Sequence, residues 1–379
     1  MQAWQLGRRA LRAAAAIGAT LALAPAWAHA DTVLVQQWIV EFRDDPGEAS
    51  NVTVTAAPGE VRITQLGDAI VTADPACSGS GTLEVTCADP GISLYDLKLD
   101  SDPDIAIASG SMGGRMHGGE GADRLTGSDE NAVNSDDLAG GDGNDLLDVR
   151  DIDRAQHLTG DGANGGAGSD TLTAGNGDDT LAGDEFLGDS IPGSDVITSG
   201  GGDDFVTPGG GDGDQVDLGP GDDRGVDAGG DGSGDIYEGG PGFDEISFGN
   251  TTFGPPGTAF DAFAIDLAAG FGKRTNNGPE ANSVVGFEDV LASVGDDDIT
   301  GASGPNVLDA GEGNDVVNPL AGADHVLACA GDDRIDTRDG FQDRVQCHAG
   351  IDTVAADQFD ELSSCENVSI ERERPAGAE

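Results

Sequence analysis

Residues 165–182 read GGAGSDTLT AGNGDDTLA, two nine-residue units placed back to back. Each unit has Gly at its second and fourth positions, Asp at the sixth and Leu at the eighth. The frame recurs as GGEGADRLT at 118–126, GGDGNDLLD at 140–148, GGPGFDEIS at 239–247, AGEGNDVVN at 310–318 and ACAGDDRID at 328–336. Closely spaced glycines disfavour helix and strand alike and mark a tight turn. The last three residues are a short extended piece with alternating side chains, so the large residue at position eight points one way and its neighbours the other. One unit is a loop plus a short strand. Two units return the chain and make one coil of eighteen residues.

Coils stacked at the strand-pairing distance of about 4.8 Å place each position-six Asp above the next. Two bare carboxylates about 5 Å apart repel by ~3 kcal/mol at an effective dielectric near 20. A ladder of them does not close unaided. Calcium takes six to eight oxygens from carboxylates and backbone carbonyls, and glycine loops expose carbonyls. One large buried side chain per unit contributes far less than ordering nine residues costs. The repeat therefore predicts that metal binding and folding are coupled.

With this frame, the sequence resembles the RTX, or hemolysin-type, calcium-binding repeat proteins, whose signature is this nonapeptide. The resemblance covers roughly residues 111–362. It implies an all-β fold: a parallel β-roll, a right-handed β-helix solenoid of nonapeptide repeats, with several calcium ions held between successive loops. The implied metal ligands are the position-six carboxylates. In the first block, 111–247, these are Asp123, Asp136, Asp145, Asp170, Asp179, Asp204, Asp214, Asp223, Asp235 and Asp244. In the second, 292–362, they are Asp297, Asp315, Asp324, Asp333, Asp343 and Asp352.

The second block is the more regular. Asp297, Asp315, Asp333 and Asp352, spaced 18, 18 and 19 residues apart, are expected along one edge; Asn306, Asp324 and Asp343 are expected along the other. Asn306 removes a charge and predicts a weaker first site there. The first block breaks at 149–164, with Gln156 where Asp is wanted, and at 183–194. Those coils are expected to bulge and to lack complete metal sites. Between the blocks, 248–291 carries Phe253, Phe260, Phe263, Phe271 and Phe287. It resembles a common insertion of the family and is expected to continue the coil with extra strands and a loop at 273–280.

Among 379 residues, 71 are Asp or Glu and 18 are Lys or Arg, for a net charge of −53. Such a chain repels nucleic acid and anionic lipid and attracts cations. Aromatics make up 4%, too few for an ordinary globular core. Without calcium, disorder is the expected state of the repeats. Residues 1–30 read as a cleaved signal peptide: Arg8, Arg9 and Arg12, an apolar run at 13–24, and an A-x-A site ending at Ala30. A secreted, extracellular protein is expected, with no membrane insertion.

Residues 31–110 differ. The runs 33–42, 51–55 and 60–66 are rich in β-branched residues, and Pro46-Gly47, Pro58-Gly59 and Pro90-Gly91 punctuate the segment. A β-rich cap is expected, since an open solenoid end exposes unpaired strand edges. Cys77 and Cys87 predict a disulfide. Asp100, Asp102 and Asp104 give D-x-D-x-D, but Ile105 and Ser111 stand where an EF-hand needs Gly and Glu, so this is the approach to the roll. At the other end, CHAGIDTVAADQFDELSSCENV resembles the family's C-terminal closure. It favours a Cys347–Cys365 bridge, with Cys329, one coil before Cys347, as a competitor. Residues 363–379 hold the closure and a tail expected to fray.

No H-E-x-x-H or G-x-S-x-G occurs, and the acid pairs follow the calcium frame, so no enzyme is expected. Two alternatives stay open. One is a surface adhesin or matrix component using the roll as a spacer, with a cell-surface or extracellular polysaccharide partner. The other is a hydrolase with its site in 248–291.

Overall fold

The computed structural model describes residues 31–44, 49–66, 69–128, 135–149, 160–184, 192–211, 213–227, 234–248, 262–275 and 281–371. The expected signal peptide, Gln156, most of the 273–280 loop and the tail after Glu371 lie outside them. Every regular element among the described residues is a β-strand.

The quoted stretch shows how a coil is built. The chain leaves Asp170 into Thr171–Thr173, turns, and leaves Asp179 into Thr180–Ala182. Thr171–Thr173 pairs in parallel with Leu146–Asp148 on one side and Val196–Thr198 on the other. Thr180–Ala182 pairs in parallel with Gly162–Ala167 and Phe205–Thr207. Repetition gives two parallel sheets on opposite faces of a solenoid, the first of them 16 strands long. The chain is a β-roll.

Position eight fills the space between the sheets, as alternation requires. Leu125, Leu147, Leu172, Ile197, Val216 and Tyr237 stack in the second sheet; Leu138, Ala163, Leu181, Val206 and Ile246 stack in the first; all are buried. Gly225 interrupts the first column. A Cβ there would lie 3.6 Å from the Tyr237 ring, so the large residue of one sheet occupies the room left by the small one of the other.

At the N-terminal end both sheets change to antiparallel pairing. In the first, Thr32–Gln36 pairs with Ile39–Arg43, which lies parallel to Leu94–Lys98. In the second, Asn51–Ala57, Glu60–Gln65 and Glu84–Ala88 form an antiparallel series beside Ile105–Gly110. The run read from sequence as 33–42 is thus two strands with a turn at Gln37 and Trp38, both at positive φ (47° and 77°). Parallel stacking of the roll begins at Leu94–Lys98 and Ile105–Gly110, ahead of residue 111.

The insertion carries the second sheet forward by reversing direction twice. Asn282–Val285 stacks in parallel on Ile236–Glu238. Phe271–Arg274 pairs antiparallel with it and with Phe263–Asp266, which then runs parallel to Asp298–Thr300. Phe248 packs on Phe263 with ring centroids 5.1 Å apart. Disulfides join Cys77 to Cys87 and Cys347 to Cys365, while Cys329 keeps its thiol.

Candidate metal centre

Most repeat strands are entered through an acidic residue that ends the preceding loop, with Asn282 and Asn306 in two of the places, and these residues form one column on each edge. All sixteen Asp singled out by the frame are buried, at 3% exposure or less. They are linked rung to rung: the amide of one donates to the carboxylate of the next coil. Along the second-sheet edge the series runs Asp104, Asp123, Asp145, Asp170, Asp195, Asp214, Asp235 and Asn282, with N···O distances of 2.7–3.1 Å. It resumes as Asp297, Asp315, Asp333, Asp352 and Glu366. The first-sheet edge carries Asp136, Asp161, Asp179, Asp204, Asp223, Asp244 and Glu288, then Asn306, Asp324, Asp343 and Asp360. Asp297, Asp315, Asp333 and Asp352 therefore share one edge, and Asn306, Asp324 and Asp343 the other.

The amide satisfies only one oxygen of each carboxylate. The second is buried with no hydrogen-bond partner in Asp123, Asp145, Asp170, Asp204, Asp214, Asp223, Asp244, Asp315, Asp324, Asp333, Asp343 and Asp352. A bare buried carboxylate oxygen is costly. The surroundings show what it faces. A Cβ added to Gly118 would overlap the Asp123 carboxylate and the Gly140 carbonyl; one added to Gly140 would overlap Asp145 and the Gly165 carbonyl; one added to Gly165 would overlap Asp170 and the Gly183 carbonyl. The first glycine of the unit thus leaves room where a carboxylate oxygen and the carbonyl of the next coil converge. Oxygen donors of these two kinds, negatively charged and without protons to give, suit a hard divalent cation.

Electrostatics agree. Burial pushes Asp195 up to about 8, Asp214, Asp223, Asp315 and Asp343 to about 7, and Asp123, Asp145, Asp170, Asp204, Asp244, Asp324 and Asp333 to about 6. Neighbouring carboxylates add to the rise in most of them, and the donated amide opposes it.

Asp136 and Asp297 are placed differently. Asp136 Oδ1 accepts from the Tyr95 hydroxyl at 3.0 Å and the Gly114 amide at 2.8 Å; Oδ2 accepts from the Ser128 amide and hydroxyl at 2.7 and 2.9 Å. Asp297 accepts from the amides of Phe263 and Ser293 and from the Ser293 hydroxyl. In these two rungs protein donors occupy both oxygens.

The structure also adds residues that the glycine frame did not show. Asp161, within 149–164, and Asp195, directly after 183–194, take regular rungs. Asp104 begins the second-sheet edge, and Glu288, Asp360 and Glu366 serve where no position-six Asp exists. Each stands before a strand as acid–x–apolar: Asp104-Ile-Ala, Asp161-Gly-Ala, Asp195-Val-Ile, Glu288-Asp-Val, Asp360-Glu-Leu and Glu366-Asn-Val. That shorter pattern carries the signal that the full glycine frame misses.

The RTX calcium-binding nonapeptide repeat matches the chain in four copies, at residues 111–131, 160–186, 192–214 and 291–326. The chain carries RTX-type repeats. Repeats of this kind bind calcium, which supports a calcium-binding β-roll. The RTX matches fall in both blocks of the roll and leave 31–110 and 248–290 outside. A search of curated proteins finds none that matches.

Proposed function

We propose that calcium bound between successive loops drives the folding of this roll, and that the protein is exported and works outside the cell. The observation that carries the proposal is the row of buried carboxylate oxygens without partners. The ion would be held by those oxygens and by glycine-loop carbonyls, and it would supply the positive charge the column lacks. Asp136 and Asp297, already saturated by protein donors, are fixed points of the framework rather than principal ligands. Because each ion touches two coils, binding is cooperative. Affinities of roughly 10⁻⁴–10⁻³ M, those of extracellular modules, match a high-calcium compartment. Two disulfides and the secretory pattern at 1–30 support export.

Calcium titration of metal-free protein, followed by far-UV circular dichroism, tests this. The expected result is a sharp coil-to-β transition, reversed by chelator and not reproduced by magnesium at equal concentration. A β-rich spectrum in chelator at neutral pH that calcium leaves unchanged would overturn it.

A further inference from the structure

Near its C-terminal end the first-sheet edge departs from its own rule. Asp324 and Asp343 are successive rungs, 2% and 1% exposed, and each has one oxygen without a partner. The loop leading to Asp343 reads D-G-F-Q-D at 339–343 and brings in a third carboxylate, Asp339. The turn fixes it with one donor per oxygen, the Phe341 amide to Asp339 Oδ1 at 2.7 Å and the Gly322 amide to Oδ2 at 3.0 Å, so each oxygen keeps a lone pair, unlike those of Asp136 and Asp297, which take two donors each. One oxygen each from Asp324, Asp339 and Asp343 lies within 4.8 Å of the others, the one such group of three among the described residues. The four RTX matches end at residue 326, before Asp339 and Asp343.

We propose that Asp324, Asp339 and Asp343 form a distinct three-carboxylate site for a divalent cation, the tightest calcium site of the roll and the first to fill. The other rungs offer carboxylates of adjacent coils and carbonyls. This one adds a side-chain charge held in place before the ion arrives. Ligand charge and preorganisation are what tune calcium affinity over orders of magnitude, and an increase of about tenfold or more over the other sites is expected. The inference rests on the reading that the roll binds calcium.

Calorimetric calcium titration of the full chain, wild type against Asp339→Asn, Asp339→Gly and Asp315→Asn, separates the two. Asn retains an acceptor for the turn, and Gly is the commonest residue at this place in the frame. Expected is a tight class of sites in the wild type and in Asp315→Asn, absent from both Asp339 variants, whose remaining sites and calcium-loaded spectrum match the wild type. If both Asp339 variants titrate like the wild type while Asp315→Asn does not, the three-carboxylate site is wrong and the calcium reading stands. If the wild type neither binds calcium nor changes its spectrum, both fall. A measurement without mutation guards against misfolded variants: with one equivalent of calcium, hydrogen exchange should slow first within 322–343. Earliest protection elsewhere would overturn the proposal.

Discussion

Three residues at the second position of the unit are not glycine, yet take the left-handed conformation that the turn imposes: Leu320, Cys329 and His348, at φ 70°, 66° and 65°. A side chain in that region costs about 1–2 kcal/mol, and glycine avoids most of it. Leu320→Gly and His348→Gly are each expected to stabilise the calcium-loaded protein by about 1 kcal/mol, read from urea unfolding midpoints. The reverse holds at Gly141, where φ is 111° and a Cβ would overlap the Gly119 carbonyl. Gly141→Ala should cost about 2 kcal/mol or more. The carboxylates separate in the same way. Asp170→Asn removes a proposed ligand and should raise the calcium midpoint of folding. Asp136→Asn leaves calcium stoichiometry unchanged but loses acceptor capacity for the donors of Tyr95, Gly114 and Ser128, about 1–3 kcal/mol of stability. Both are position-six Asp, although the Asp136 unit, NAVNSDDLA at 131–139, lacks the glycines of the Asp170 unit, GGAGSDTLT at 165–173. The difference lies in donors from elsewhere in the chain.

Among the elements, the closing coil depends on a covalent tie. Cys347–Cys365 closes a loop with a sequence separation of 18 residues around the last strands. Loss of such a loop costs about 3 kcal/mol by chain entropy. The double variant Cys347→Ala/Cys365→Ala is expected to need more calcium to reach half folding. An unchanged midpoint in the circular dichroism titration would show that metal alone closes the end. The repeat strands were legible because each is one apolar residue between two loop signals. The turn at Gln37-Trp38 was not, since hairpin turns with positive φ usually announce themselves with Asn or Gly. There Trp38 lies over Gly91, which has no Cβ to obstruct the ring. The insertion was legible as extra strands, but its antiparallel reversal was not, because alternation is the same in both directions.

Over the whole molecule, charge links folding to pH as well as to calcium. The rung carboxyls of Asp123, Asp145, Asp170 and Asp195 hold their protons up to about 6–8 in the folded chain because burial penalises the ion. An unfolded carboxyl titrates near 4 (roughly). The folded form thus binds protons more tightly. The resulting stability is complete below the unfolded value and is lost as pH rises through about 6–8. Metal-free protein is therefore expected to keep more β structure at pH 5 than at pH 8. Calcium competes with those protons, so its folding midpoint should rise as pH falls from 8 to 5. Equal spectra at both pH values in chelator would contradict this.

The sequence by itself determined the unit, its two-strand coil, the inner apolar column, the two acidic edges and the ion they call for. Each of these follows from the spacing of glycine, Asp and one large apolar residue within nine positions. Only the tertiary structure decided which carboxylates keep an open oxygen. It closed Asp136 and Asp297 with Tyr95, Ser128 and Ser293, filled the irregular coils with Asp161 and Asp195, and brought Asp339 to Asp324 and Asp343. The reason is physical. A repeat fixes where a side chain stands along its own coil, but the donors that satisfy it, or leave it to a metal, come from other coils in the stack.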